Sequence, residues 1–225
     1  MLSVVTGTGT GIGKTHFGEA LLQAAGKAGM RVAGVKPVES GVSPSARSDA
    51  ERLASVSTFH VKPFGYAFAD PVSPHLAARL AGCRMELASV VDVINDLRSK
   101  MDLLLLELPG GLFTPLTPHS LNIDLAAALV PEFVLLAAPD RLGVLHDVVA
   151  TTRAARVHPL TINGIVLIAP SSPDPSTGRN QPDLVSLTDG LPVVASLPWA
   201  PATTIAESGA LSSLLSLLGH APGLR

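Results

Sequence analysis

A short apolar run, Leu2 to Val5, leads straight into Thr6-Gly7-Thr8-Gly9-Thr10-Gly11-Ile12-Gly13-Lys14-Thr15, after which a helix-compatible segment begins. A glycine-rich turn between a strand and a helix lets backbone N–H groups converge on one point, and the helix dipole adds positive potential there. Such a turn is a cradle for phosphate. Lys14 has the reach for the outer phosphates of a nucleoside triphosphate, and the Thr15 hydroxyl suits a magnesium ion. The candidate nucleotide ligands here are Gly9, Thr10, Gly11, Ile12, Gly13, Lys14 and Thr15. The loop departs from the common spacing, because five residues separate Gly7 from Gly13 and Thr8 stands where the first glycine usually lies. A glycine-rich turn that binds nothing is the bland alternative. A dinucleotide fingerprint can be traced through Gly7 and Gly9, but a lysine followed by threonine at the loop's end favours a triphosphate.

The rest of the chain fits an α/β fold with one doubly wound, mostly parallel sheet and helices on both faces. Six apolar runs bounded by Gly, Pro or charge read as strands: 2–5, 31–35, 101–107, 133–138, 164–168 and 192–197. Helical stretches lie between them at about 14–28, 48–55, 73–80, 87–99, 123–130, 143–156 and 205–218. The unbroken Leu103 to Leu106 suits an interior strand buried on both faces, and the polar tract Pro170 to Pro182 reads as a mobile surface loop. A single domain over residues 1–225 is expected. With 47% hydrophobic and 15% charged residues, the chain has too much apolar surface to stay unfolded.

Composition also excludes partners. Lys+Arg 16 against Asp+Glu 18 gives a net charge of -2, which lacks the basic footprint of nucleic-acid binding. Every apolar stretch is interrupted well before the ~18 residues a membrane span needs, and no basic leader precedes the first run. The one cysteine, Cys83, cannot form an internal disulfide, so the cytoplasm is the expected location.

A triphosphate enzyme needs carboxylates for its metal at the carboxyl ends of the strands. Glu107 ends the leucine-rich strand, Lys36 follows the second strand at the same edge, and Asp49 opens the next helix. Taken singly, Glu107 could merely cap a strand end, and the other two could be solvated surface. In order along the chain, however, stand Gly7 to Thr15, Lys36-Pro37-Val38-Glu39-Ser40-Gly41, Ser48-Asp49-Ala50, Ser73-Pro74-His75, Glu107 to Leu116 and Arg141-Leu142-Gly143. That succession resembles the dethiobiotin synthetases, from residue 2 to about residue 200.

The resemblance implies a homodimeric, ATP- and magnesium-dependent cyclo-ligase of biotin biosynthesis with a P-loop NTPase-like fold. It takes 7,8-diaminononanoate and carbon dioxide and closes a ureido ring through a phosphorylated carbamate. On matching positions, Lys14 and the loop amides hold the phosphates, while Thr15, Asp49 and Glu107 hold Mg2+. Lys36, with Ser40 and Thr10 nearby, holds the carbamate and the phosphoryl group in flight. The chain departs from the family in three places. Leu108-Pro109 follows Glu107 where Gly-x is usual, His146-Asp147 replaces Asn-His after Leu142-Gly143, and Ile168 stands where an asparagine reads adenine. With Ile168 there, backbone groups near Pro198, Trp199 and Ala200 are left to contact the base. Rival readings are a related ligase acting on another carboxylate or carbamate, a P-loop ATPase switch, and a non-catalytic nucleotide-binding module. The switch usually carries an additional lysine early in its loop, and Gly7-Thr8-Gly9 has none.

Overall fold

The computed structural model describes residues 1–219; residues 220–225, the end of the expected single domain, lie outside the described residues. Each of the six apolar runs forms a strand of one parallel sheet: β1 (Leu2–Gly7), β2 (Val32–Val35), β5 (Leu103–Glu107), β8 (Phe133–Pro139), β9 (Gly164–Ile168) and β10 (Val193–Leu197). Their order is β10-β9-β8-β1-β5-β2, every neighbouring pair running parallel. β1 is interior; the chain fills one side of it first, with β2 at the edge and β5 inserted between, and then builds outward on the other side through β8, β9 and β10. The crevice at such a switch point, beyond the carboxyl ends of the strands, is where an open α/β sheet binds its ligand.

The leucine run is interior, as its composition implies, with β1 on one side and β2 on the other. Its alternate side chains serve opposite faces. Leu103 and Leu105 pack with α1 (Lys14–Lys27), α2 (Asp49–Ser55), α8 (Ala202–Glu207) and α9 (Ser212–Gly219). Leu104 and Leu106 pack with α3 (Pro74–Leu80), α4 (Leu87–Arg98) and α5 (Asn122–Leu129). Further along that face, α6 (Val144–Ala155) and α7 (Gln181–Leu187) cover β8 and β9.

Four features differ from the sequence expectation. The segment expected as one helix over 205–218 is broken between α8 and α9, where Gly209 has φ 79° and the chain turns. Two small sheets were not visible in the apolar pattern: β3 (Val38–Ser40) pairs in parallel with β4 (Tyr66–Phe68), and β6 (Pro115–Thr117) pairs antiparallel with β7 (Ser120–Leu121). Their strands are two or three residues long, too short to carry a period. Helix α7 starts inside the polar tract, with a proline in its first turn.

The fourth is the tract itself, which is tied down rather than loose. Asp140, just past β8 and only 5% exposed, accepts from the Gly178 amide at 2.7 Å and from Asn180 Nδ2 at 2.6 Å. Thr177 donates to the Asp140 carbonyl, and Asp174 accepts from the Leu142 amide. A buried carboxylate needs donors, and this segment supplies them. Replacing Asp140 by Ala is expected to cost about 1–3 kcal/mol in denaturant unfolding. Hydrogen exchange at Gly178 should quicken while the β5 amides stay protected; unchanged exchange at Gly178 would contradict this role.

Candidate active site

The phosphate loop leaves β1 at Gly7 and is held against the neighbouring strand by the Thr8 amide, which donates to the Ala137 carbonyl at 3.1 Å. Gly13, immediately before α1, has φ 93°, a conformation that favours glycine, and a Cβ there would press on the Ile168 side chain at 3.2 Å. Ile168 therefore packs behind the last loop glycine, at the place where the resemblance expected a base-reading asparagine. Lys14 is 6% exposed and its Nζ donates to the Gly9 carbonyl at 3.0 Å, folding back over its own loop.

The adjacent strand ends supply the carboxylates. Glu107, 1% exposed at the end of β5, accepts at Oε1 from the Thr15 hydroxyl at 2.9 Å and from Lys36 Nζ at 2.8 Å. Lys36, just beyond β2, also donates to Asp49 Oδ2 at 2.5 Å. Asp49 is the first residue of α2, whose start is fixed by Ser48 and Glu51 in a reciprocal capping box. Arg52, one turn further, reaches Asp49 Oδ1 at 3.3 Å and makes a two-bond contact with Glu19.

Burial and charge compete at each group. Burial pulls the Lys14 pKa down to about 8, reinforced by Lys36 and opposed by Glu107 and Asp49. Burial also lowers Lys36, but Glu107 and Asp49 outweigh it and hold that lysine above its ordinary value. Burial would raise Asp49, yet Lys36, Thr15 and Arg52 hold it below the usual carboxylate range. Glu107 goes the other way: burial pushes it up despite Lys36 and Lys14.

These groups face a cavity of about 610 Å3, a size suited to a small-molecule ligand. Thr10, Gly11, Ile12, Gly13, Lys14, Thr15, Lys36, Ser40, Asp49 and Glu107 all line it, and Gly9 joins them through its bond to Lys14. The Ser40 hydroxyl donates to the neighbouring Val72 carbonyl at 2.6 Å. Pro198, Trp199 and Ala200 do not line this cavity. They follow β10 and meet the loop helix through the Ala200 carbonyl, 2.7 Å from His16 Nε2. Arg52 and His16 are lining residues that sequence reasoning passed over. Arg52 was detectable, lying one helical turn after Asp49, whereas the 184-residue separation of His16 and Ala200 left no local signal.

The donor set suits Mg2+. Among the described residues no three His, Cys, Asp or Glu side chains gather into a metal cage. Magnesium does not need one, since it binds through one or two carboxylates and completes its shell with water and substrate phosphates. Two carboxylates and a hydroxyl beside a phosphate loop are such a set. Glu107 Oε2 is buried with no hydrogen-bond partner among the described residues, an acceptor that a cation would satisfy.

Residues 3–207 match a family model described as an AAA domain. A protein of Anaeromyxobacter sp. (strain K) named ATP-dependent dethiobiotin synthetase BioD is 42% identical over 204 residues, covering 88% of this chain and 89% of that one. Proteins of the same name from Nitrosospira multiformis and Bacillus cereus (strain B4264) are 33% and 31% identical, each covering 87% of this chain and respectively 87% and 82% of their own length. Among solved structures, the septum site-determining protein MinD with Mg-ADP from Pyrococcus horikoshii OT3 is similar with TM-score 0.59 and 18% identity, over 100% of this chain and 97% of that one. A ParA family ATPase from Chlorobium tepidum TLS has TM-score 0.57 and 12% identity, over 97% of this chain and 98% of that one. At such identities the likeness to the two solved structures is one of fold.

The low pKa of Lys14 has a measurable sign. Between about 8 and its ordinary 10.5 the unfolded chain binds the proton that the folded one has lost, so this group makes folding more favourable as pH rises through that window. Phosphate binding moves the opposite way, because it uses the charged form. Calorimetric ADP affinity without metal should be level below pH 8 and weaken above it by up to about tenfold per unit. Lys14→Met should be weak and level; a level wild-type profile through pH 9.5 would contradict the assignment.

Proposed function

Because this chain belongs to the ATP-dependent dethiobiotin synthetase family, we propose that it closes the ureido ring of dethiobiotin from 7,8-diaminononanoate and carbon dioxide through a carbamate that ATP phosphorylates. The observation that carries this reading is the Lys36 ammonium shared between Asp49 and Glu107 beside the phosphate loop. It joins a cation for an anionic nucleophile to two oxygen donors for a metal in one cavity.

One amine of the substrate takes up carbon dioxide as a carbamate. A carbamate oxygen then attacks the γ-phosphorus of ATP, the bond to the β-phosphate oxygen breaks, and ADP leaves. The second amine attacks the carbonyl carbon of the carbamoyl phosphate, expelling phosphate and closing the ring. An anion attacking an anion is opposed by charge repulsion, so positioning and cations do most of the work. Lys14 and the loop amides bind the phosphates, and Lys36 binds the carbamate oxygen and the phosphoryl group in transfer. Thr10 and Ser40, which line the same cavity, contribute hydroxyl groups near the reacting atoms. Thr15, Asp49 and Glu107 would hold Mg2+, which neutralises phosphate charge when bound.

The same reading takes the chain as one domain over 1–225 that works as a cytoplasmic homodimer. Leu142, 77% exposed at the approach to α6, is an apolar side chain a second copy could cover. No helix among the described residues is long and apolar enough to cross a membrane. A structural likeness to MinD and ParA proteins does not favour a switch, since it reports fold alone.

The test is ADP formation by the purified protein with ATP and Mg2+, with diaminononanoate and bicarbonate added singly and together. Turnover should require both. Turnover with neither would point to a switch ATPase, and none with both to a ligase for another substrate. Lys36→Gln should lower ligation by roughly 100-fold or more, with a far smaller change in ATP affinity, because the contact is made mainly with the reacting group. Equal losses in both would refute the role given to Lys36.

A further inference from the structure

Two buried polar side chains beside the cavity have no part in the chemistry above, and each grips the backbone that carries one of the two carboxylates. Glu39, in β3 and 8% exposed, accepts from the Asp49 amide at 2.7 Å and the Ala50 amide at 3.3 Å. It makes no ion pair with any Lys, Arg or His among the described residues. A carboxylate taken from water without a cation is costly unless N–H groups and a favourable dipole replace the lost hydration, and the first turn of α2 offers both. The Ser48 and Glu51 capping box satisfies the amides of those two residues, and Glu39 takes the two it leaves, those of Asp49 and Ala50. What Glu39 adds is a fixed backbone position for Asp49 itself.

Asn122, the first residue of α5, is 0% exposed, and its Nδ2 donates to the Pro109 carbonyl at 2.5 Å and the Gly111 carbonyl at 2.7 Å. Its Oδ1 has no partner among the described residues. A leucine of similar size would leave no such unpaired oxygen, so the gain from asparagine lies in the double grip on the turn after Glu107. That turn rests on the phosphate loop: the Leu112 amide donates to the Gly7 carbonyl at 3.0 Å, and a Cβ on Gly111 would stand 3.2 Å from the same oxygen. A site of this kind needs its groups held to about 0.5 Å by side chains that are themselves fixed.

We propose that Glu39 and Asn122 are positioning residues that set the spacing of the Asp49 and Glu107 carboxylates for Mg2+. The inference rests on the reading of those carboxylates as metal-holding, and it needs no knowledge of the ligase substrate. Its signature is a loss confined to the metal-dependent part of nucleotide binding.

The experiment is calorimetric titration of ADP into wild type, Glu39→Ala and Asn122→Leu, with Mg2+ and with chelator, alongside thermal unfolding. Wild type should bind more tightly with Mg2+. In both variants that gain should shrink about tenfold or more, the usual effect of losing a residue that supports a metal ligand, while metal-free affinity stays within about twofold. Glu39→Gln keeps an acceptor for the Asp49 amide and should recover most of the gain. If the larger changes fail to fold, Glu39→Thr and Asn122→Ser carry the comparison, with smaller losses in the same direction. A gain equal to wild type in Glu39→Ala or Asn122→Leu, or parallel loss with and without metal, overturns the proposal. Absence of any Mg2+ gain in wild type would overturn the metal reading of Asp49 and Glu107 along with it.

Discussion

Everything about this cavity depends on one buried ammonium. Lys36 Nζ lies 2.5 Å from Asp49 and 2.8 Å from Glu107, and without it the partly exposed Asp49 carboxylate would face the buried Glu107 carboxylate with no cation between them. Like charges so placed repel, and removing one partner of a buried pair leaves an uncompensated charge. The fold is arranged so that this contact can form. Glu107 comes from β5, Lys36 from the end of β2 and Asp49 from the start of α2, and the parallel sheet brings all three to the carboxyl edge where β1 gives way to the phosphate loop. Lys14, the second lysine, is left with less compensation and a lower pKa, so the two cations are electrostatically distinct before any ligand arrives.

The departures from the family pattern are accommodated within this geometry. Leu108, where the family has glycine, is 0% exposed and joins the hydrophobic core, while Gly110 with φ 64° and Gly111 make the turn. Asp147, near the start of α6, points at Arg141, 3.9 Å away, so its charge faces a cation. Ile168 contributes to the packing behind Gly13 and offers no polar group for a base.

What could be read in the sequence is what is encoded locally. The phosphate loop is ten contiguous residues whose chemistry needs no tertiary partner, and each parallel strand is a short, mostly apolar run. Lys36, Asp49 and Glu107 were legible because strand ends in such a sheet share an edge. Contacts between distant residues were not. The donors that tie the 170–182 tract to Asp140 sit 38 and 40 residues away, so the tract's polar composition read as loose when it is satisfied internally. Nothing in the sequence singled out Glu39 or Asn122, because their partners lie 10 to 13 residues off on other elements. The break at Gly209 was hidden by apolar spacing that continues across it.

The central claim is that Lys36 and its two carboxylates form the reacting end of the nucleotide site. A crystal structure with Mg2+, a non-hydrolysable ATP analogue and diaminononanoate tests it most directly. The expected result is a metal about 2.0–2.1 Å from the Thr15 hydroxyl oxygen, Asp49 and Glu107 reaching it directly or through one water, and Lys36 Nζ within hydrogen-bond distance of the γ-phosphate or a substrate carbamate. A metal and terminal phosphate bound away from these residues, with Lys36 still engaged only by Asp49 and Glu107, would contradict it.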